Sequence, residues 1–213
     1  MNQYNLNFKY QDSFNEENFF VSDSNNNSYN ILIKEKDFSN FIFLSGPEKS
    51  GKSHIATMWA KKNNSIVIKL NSFSNDQIVK LDNNVLIDDV FENLSEEKLF
   101  HIINHCKICN LKILLTSNLL PKNYKFNLLD LSSRMNVFYL IKIFQPDDQL
   151  IFNLIIKLFS DRQIKLKNQE VINYLIKRID RSFDNVYSIV NKIDEYSLSS
   201  KREITIPLIR EII

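Results

Sequence analysis

The chain has 213 residues, enough for one large domain or a domain with a small appendage. It is 44% hydrophobic and 24% charged, which gives matter for a packed core, and its net charge of +2 excludes a protein that grips duplex DNA mainly by charge. No apolar run approaches the roughly 18 residues of a membrane span, Met1 to Asn5 lack the regions of a signal peptide, and two cysteines make no disulfide framework, so a cytoplasmic protein with no membrane partner is expected.

Residues 1 to 30 are polar and Asn-rich, interrupted by Phe19-Phe20-Val21, and read as an extended arm followed by a helix near Asn25 to Lys34. Phe41-Ile42-Phe43-Leu44 predicts a buried strand, and residues 52 to 62 a helix with Ile55, Met58 and Trp59 on one face. Ser65 to Leu70 and Val85 to Ile87 predict two further strands. Ser95 is placed to cap a helix reaching about Cys106, with Glu96 and Glu97 in its first turn. Lys112 to Thr116 and Val137 to Ile143 predict the fourth and fifth strands. Strands alternating with helices imply parallel pairing through crossovers, an α/β core. After Gln145-Pro146-Asp147-Asp148 the pattern becomes helical: one helix from Pro146 to about Phe159, one capped by Asn168, one capped by Ser182, and a last one opened by Thr205 and Pro207. The expected division is an arm over residues 1–12, an α/β core over 13–144 and a small all-helical lid over 145–213.

The chain has only two glycines, where average usage of about 7% would give roughly fifteen. Both lie in Gly46-Pro47-Glu48-Lys49-Ser50-Gly51-Lys52-Ser53, which fits G-x-x-x-x-G-K-[ST] between a predicted strand and a predicted helix. Backbone N–H groups of such a loop surround a phosphate, Lys52 reaches the β- and γ-phosphates, and the Ser53 hydroxyl is a ligand for Mg²⁺. ATP or ADP with Mg²⁺ is therefore the expected cofactor. At the end of the third strand, Asp88 is placed to hold the Mg²⁺ shell and Asp89 to polarise an attacking water; the alternative is a solvated pair of idle carboxylates.

With what surrounds them, these residues resemble the AAA+ family, and within it the replication initiator (DnaA) family and its short Hda-type regulators. Phe19-Phe20-Val21-Ser22-Asp23-Ser24-Asn25 is similar to the family's F-V-x-G-x-S-N segment, with Asp23 where glycine is usual, and implies that Phe20 and Val21 lie near the adenine. The phosphate loop with its trailing His54 is similar to the family's loop. Leu114 to Asn118 resembles the sensor 1 strand, which implies that Asn118 orients a water or the γ-phosphate. Leu128 to Arg134 resembles the box that carries an arginine finger, which implies that Arg134 reaches a nucleotide on a neighbouring subunit; the alternative is a surface ion pair. The lid helices resemble those of the Hda type, and a C-terminal DNA-binding domain is not expected after Ile213. One departure stands out: Asp184 falls where the lid usually carries the sensor 2 arginine, and Arg181 is out of register. The loss of a cation facing the γ-phosphate implies weak intrinsic hydrolysis.

Gln3, Leu6 and Phe8 fit Q-x-x-L-x-F, which resembles the peptides that bind the sliding clamp of DNA polymerase; the alternative is a strand packed on the chain's own core. Cys106 and Cys109 form a C-x-x-C at a helix end, and His101 and His105 lack a third ligand, so both pairs read as structural. Lys157, Arg162, Lys165 and Lys167 read as a solvated basic run. The resemblance implies a regulator of replication initiation. Its expected partners are the sliding clamp and the initiator DnaA, with self-association as a further expectation and DNA contact only indirect. A loader-type ATPase and a non-catalytic nucleotide-dependent adaptor are the alternatives.

Overall fold

The computed structural model of the chain describes residues 16–35, 38–164 and 168–213. Gln3, Leu6 and Phe8, and Lys165 and Lys167 of the basic run, lie outside the described residues. A short helix α1 (Asn26–Tyr29) widens into a π-turn over Asn30–Lys34 and leads to β1 (Phe41–Ser45). Then follow α2 (Lys52–Lys62), β2 (Ser65–Val67), α3 (Asn75–Val79), β3 (Asn84–Ile87), α4 (Glu96–Ile108), β4 (Ile113–Ser117), α5 (Leu129–Met135) and β5 (Tyr139–Lys142). All strand pairs are parallel, in the order β2-β3-β4-β1-β5, so β1 lies between β4 and the edge strand β5.

The alternation of side chains along the strands builds two cores on one sheet. Phe43, Val85, Ile87, Ile113 and Leu115 point to the face covered by α3, α4 and α5. Ile42, Leu44, Leu86, Leu114 and Ile141 point to the face covered by α2 and the π-turn, where Trp59 packs. The inner strands are apolar on both faces, which is why they read as continuous runs rather than alternating ones.

The helical part comprises α6 (Asp148–Asp161), α7 (Glu170–Ile176), α8 (Phe183–Ser200) and α9 (Ile206–Ile212). Their apolar faces meet in a third cluster drawn from Ile151 to Ile209, separate from the two that cover the sheet. Ser182 caps α8 by accepting from the N–H of Asn185 at 3.2 Å, and Thr205 stands in the same relation to Leu208 at 3.5 Å. None of the helices among the described residues is long and apolar enough to cross a membrane.

Five local expectations change. The helix expected to be capped by Asn168 has Gln169 at its N-cap position, and Asn168 instead accepts from the Glu170 N–H at 2.9 Å. The second strand stops at Val67, and residues 70–72 form a 3₁₀ turn, although the Ile68 N–H still reaches the Leu86 carbonyl at 2.8 Å. The fifth strand starts at Tyr139, because Phe138 turns edge-on into Phe41 at 5.4 Å between ring centres. The polar run before it is helix α5, held by the buried pair Leu131 and Met135 at helical i, i+4 spacing. Pro146 stands outside α6, which is capped instead by Asp147, whose carboxylate accepts from the Leu150 N–H at 2.8 Å.

Asp147 also ties the lid to the N-terminal segment. Its second oxygen accepts from the Ser24 N–H at 3.3 Å, the Phe144 N–H donates to the Ser24 carbonyl at 3.0 Å, and the Ser28 hydroxyl donates to the Lys142 carbonyl at 3.0 Å. Burial alone would raise the pKa of Asp147, but donors from Leu150, Ser22, Ser24 and Gln149 together hold it below the usual carboxylate value. A depressed carboxylate contributes stability that is present above its unfolded pKa and lost as pH falls through its folded one. Asp147→Ala is therefore expected to lower stability by about 1 kcal/mol at neutral pH in urea titrations. The gap to the wild type should narrow as the solution is acidified below about pH 4.

Candidate functional site: a phosphate loop under a lid

The end of β1 turns at Gly46 into a loop that closes at Gly51, the residue before α2. A Cβ on Gly46 would stand 2.9 Å from the Cβ of Ile143 and 3.0 Å from the Ser50 hydroxyl, so this turn admits only glycine. Gly51 has φ +87°, a left-handed conformation, and faces the ring of Phe19. The Lys52 ammonium is held inside the loop, donating to the carbonyls of Gly46 at 3.1 Å and Pro47 at 2.8 Å. Burial pushes its pKa below the ordinary lysine value, opposed by the charges of Asp89, Asp88 and Glu48. The Ser50 hydroxyl is buried without a hydrogen-bond partner. An orphaned hydroxyl and a buried ammonium resting on neutral carbonyls together fit a phosphate group in the loop.

The acidic side of the site is organised by Thr116 on β4. Its hydroxyl donates to Asp88 and accepts from the Asp89 N–H at 2.9 Å, while its carbonyl accepts from the Val90 N–H at 2.9 Å. Asp89 is thereby fixed at φ +46°, a strained position for a non-glycine residue. Burial first, and then the charge of Asp88, raises the Asp89 pKa. Asp88 keeps a carboxylate oxygen beyond the one bonded to Thr116, so it and the Ser53 hydroxyl are hard oxygen donors suited to Mg²⁺. Among the described residues there is no cluster of three or more His, Cys, Asp or Glu side chains able to hold a metal by itself.

Other expected residues fall at different points of the cleft. Asn118, one residue past β4, donates to Glu48 of the loop at 3.4 Å. His54 meets Phe19 edge-on at 5.3 Å, and Phe19 stacks on Tyr29 at 5.9 Å. Phe19, one residue before the expected Phe20-Val21 pair, is thus the ring packed against the loop and α2. Val21 is 40% exposed, and the Phe20 carbonyl accepts from the Asn25 side chain at 2.8 Å. Sequence reasoning missed Thr116 as an organiser and Phe19 as the packing ring, although both lie in segments it singled out.

Arg134 lies in the last turn of α5, half-buried, and its guanidinium has no hydrogen-bond or ion-pair partner among the described residues. The start of that helix is pinned from α4. The Glu96 carboxylate accepts from the N–H of Asn127 at 3.0 Å and of Leu128 at 2.6 Å. Glu96 was expected only as a first-turn carboxylate of α4; its grip on the start of α5 lies 31 residues away in sequence and has no local signal.

At the lid, Asp184 pairs with Lys49 of the phosphate loop at 2.8 Å, and the Lys49 ammonium lies 5.5 Å from the centre of the Tyr187 ring. The pair is exposed, so its contribution to stability is at most about 1 kcal/mol. Arg181 forms a forked pair with Asp148 at 2.8 and 2.9 Å, which joins the starts of α8 and α6 and commits that guanidinium. Arg162 likewise binds inside the lid, to Asn191 and, at 3.7 Å, to Asp194. Cys106 is buried with its thiol pushed up to about 12, chiefly by burial, which fits the structural reading for Cys106, while Cys109 is exposed.

The strained, desolvated carboxylate of Asp89 has a measurable consequence. Its raised folded pKa means that stability falls as pH rises from the unfolded value through the folded one, and stays lowered above it. Asp89→Asn removes that charge and accepts the left-handed backbone at least as well. The variant is expected to melt higher than the wild type at neutral pH without nucleotide, and the gain should shrink under acid conditions in a thermal-melt series.

Comparison with known proteins bears on this arrangement. The family described as "Hda, lid domain" matches residues 150–213. The chromosomal replication initiator protein DnaA of Buchnera aphidicola subsp. Cinara cedri is 27% identical over 98% of this chain and 53% of its own length. The chain thus spans about half the length of the curated relatives it matches. Domain III of the Thermotoga maritima initiator DnaA superposes with a TM-score of 0.72 at 20% identity, covering 94% of this chain and 97% of that one. DnaA of Aquifex aeolicus, bound to AMPPCP, superposes with a TM-score of 0.64 at 21% identity over 83% of this chain and 63% of that one. The sheet order, the loop between β1 and α2 and the lid against that loop are accounted for together: the chain has the AAA+ fold seen in domain III of DnaA, its sequence is similar to that of DnaA initiators, and its residues 150–213 match the Hda lid domain.

Proposed function

We propose that this chain is a regulator of replication initiation that is delivered by the sliding clamp and promotes hydrolysis of ATP bound to the initiator DnaA. The observation that carries the proposal is Arg134: an uncommitted guanidinium on a short helix that is pinned at its start by Glu96 and runs into the edge strand β5. A planar cation held on a rigid mount and left without a carboxylate is what a finger supplied to another subunit's nucleotide requires. In this reading Arg134 neutralises charge developing on the transferred phosphoryl group in the partner's site. Gln3, Leu6 and Phe8 would seat the chain on the clamp, with the two apolar side chains in a groove and the amide at its edge.

The chain's own site serves as a nucleotide-binding support. The loop N–H groups, Lys52 and Ser50 would hold the phosphates of ATP or ADP, Ser53 and Asp88 would hold Mg²⁺, and Phe20, Val21 and Phe19 would lie towards the base. The bound magnesium would supply charge neutralisation between phosphates. Asp89 and Asn118 would orient a water, but at the lid Asp184 stands where a cation would favour hydrolysis, so intrinsic turnover is expected to be low. A second reading, an ATPase that loads another protein on DNA, is favoured by the presence of Lys52, Ser53, Asp88 and Asp89 together. It predicts substantial turnover by the chain alone.

The test is ATP hydrolysis by the cognate initiator with clamp loaded on DNA, with and without this chain. Acceleration is expected, and Arg134→Ala should reduce it by about 10³-fold or more while leaving the melting temperature and clamp binding near wild type. Acceleration that persists in the Arg134→Ala variant, or none with the intact chain, would overturn the proposal. Glu96→Ala should lower the acceleration less than Arg134→Ala does, by allowing α5 to shift.

A further inference from the structure

The lid carboxylate at Asp184 does not stand bare before the phosphate loop; it is matched by a cation from the loop itself. Lys49 is unusual on two counts. It has φ +58°, a conformation seldom adopted outside glycine, and its ammonium is shared between Asp184 at 2.8 Å and the face of Tyr187 at 5.5 Å, both on α8. The pair bridges the phosphate loop and the first turns of the lid helix that faces it. Four carboxylates belong to this region: Glu48, Asp88, Asp89 and Asp184. Against them stand Lys52 and Lys49, since Arg181 is taken by Asp148. The loop is built to take a phosphate, and the buried Lys52 alone is a poor match for its charge.

We propose that Lys49 is a second phosphate-binding lysine, which Asp184 holds in reserve and gives up when a nucleotide phosphate enters the loop. The proposal rests on the nucleotide reading above. Three facts support the exchange. The Lys49–Asp184 pair is exposed, with side chains 49% and 59% accessible, so it is weakly held. A phosphate dianion attracts one ammonium about twice as strongly as a carboxylate does at equal distance. Lys49 is itself a loop residue, three positions before Lys52, so its four-carbon stem starts from the ring of backbone that would surround the phosphate. Lys49 thereby adds a second cation for phosphate binding, and Asp184 sets how readily it is released.

The test is equilibrium titration of the 213-residue chain with N-methylanthraniloyl-ADP and Mg²⁺ at low salt. The variants are Asp184→Asn, Lys49→Gln, the two combined, and Lys52→Ala, with thermal melts without nucleotide confirming that each is folded. Asp184→Asn removes the competitor and is expected to tighten binding by about 3-fold. Lys49→Gln is expected to weaken it by about 10-fold, and the gain from Asp184→Asn should vanish once Lys49 is gone. Unchanged or weaker binding by Asp184→Asn would overturn the proposal and leave the pair as a lid latch. A gain that persists without Lys49 would overturn it too, leaving only a general effect of charge. Wild-type binding that is absent, or unaffected by Lys52→Ala, would instead overturn the nucleotide reading itself.

Discussion

At Gly46 the chain leaves β1 so close to β5 and its exit that a side chain of a single carbon would stand 2.9 Å from the Cβ of Ile143. This contact brings three things to one place. The loop starts here, the Ile143 N–H bonds back to the Ser45 carbonyl at 2.8 Å, and the next residues pass through Asp147 into the lid. The cleft is therefore defined by strand order. With β1 between β4 and β5, the loop after β1 lies beside the acidic end reached through β4 on one side and the lid junction on the other. A sheet with a different order would carry the same motif without the same neighbours.

Within that frame the site stores unfavourable interactions. Lys52 is buried on neutral carbonyls, Ser50 has a hydroxyl with no partner, and Asp89 combines a left-handed backbone with a desolvated charge. Each is a local cost that core packing must offset, and those at Lys52 and Ser50 are of the kind that an anion in the loop would relieve. The sheet supplies the rigidity: β1, β3 and β4 are buried on both faces, and Thr116 joins β4 to the end of β3 through three hydrogen bonds. Arg134 belongs to a different economy of contacts. Its helix is fixed by Leu131, Met135 and Glu96, while the guanidinium itself is left uncommitted.

Much of this is legible in the sequence alone. The phosphate loop is local, its chemistry needs contiguous residues, and a chain nearly devoid of glycine that keeps two in eight positions advertises it. The parallel sheet follows from apolar runs separated by helical segments, and the caps at Ser182 and Thr205 from local side-chain chemistry. What sequence reading missed was set by contacts distant along the chain. Lys49 and Asp184 are 135 residues apart, so the partner of the lid carboxylate could not be inferred from spacing. Which of Phe19, Phe20 and Val21 meets the loop depends on the path of an irregular segment, and the path selects Phe19. Helix α5 was hidden because it is short and only Leu131 and Met135 of its apolar side chains are buried, while Leu129 is exposed and blurs the period.

The most direct measurement on the central claim, that this cleft is a nucleotide site shaped by the loop and completed by the lid, is a crystal structure of the chain with ADP and Mg²⁺. The account predicts a phosphate inside residues 46–53, with the Lys52 ammonium moved from the carbonyls of Gly46 and Pro47 to phosphate oxygens and the Ser50 hydroxyl newly paired. Nucleotide bound elsewhere, or Lys52 still resting on its two carbonyls beside an ordered nucleotide, would contradict it.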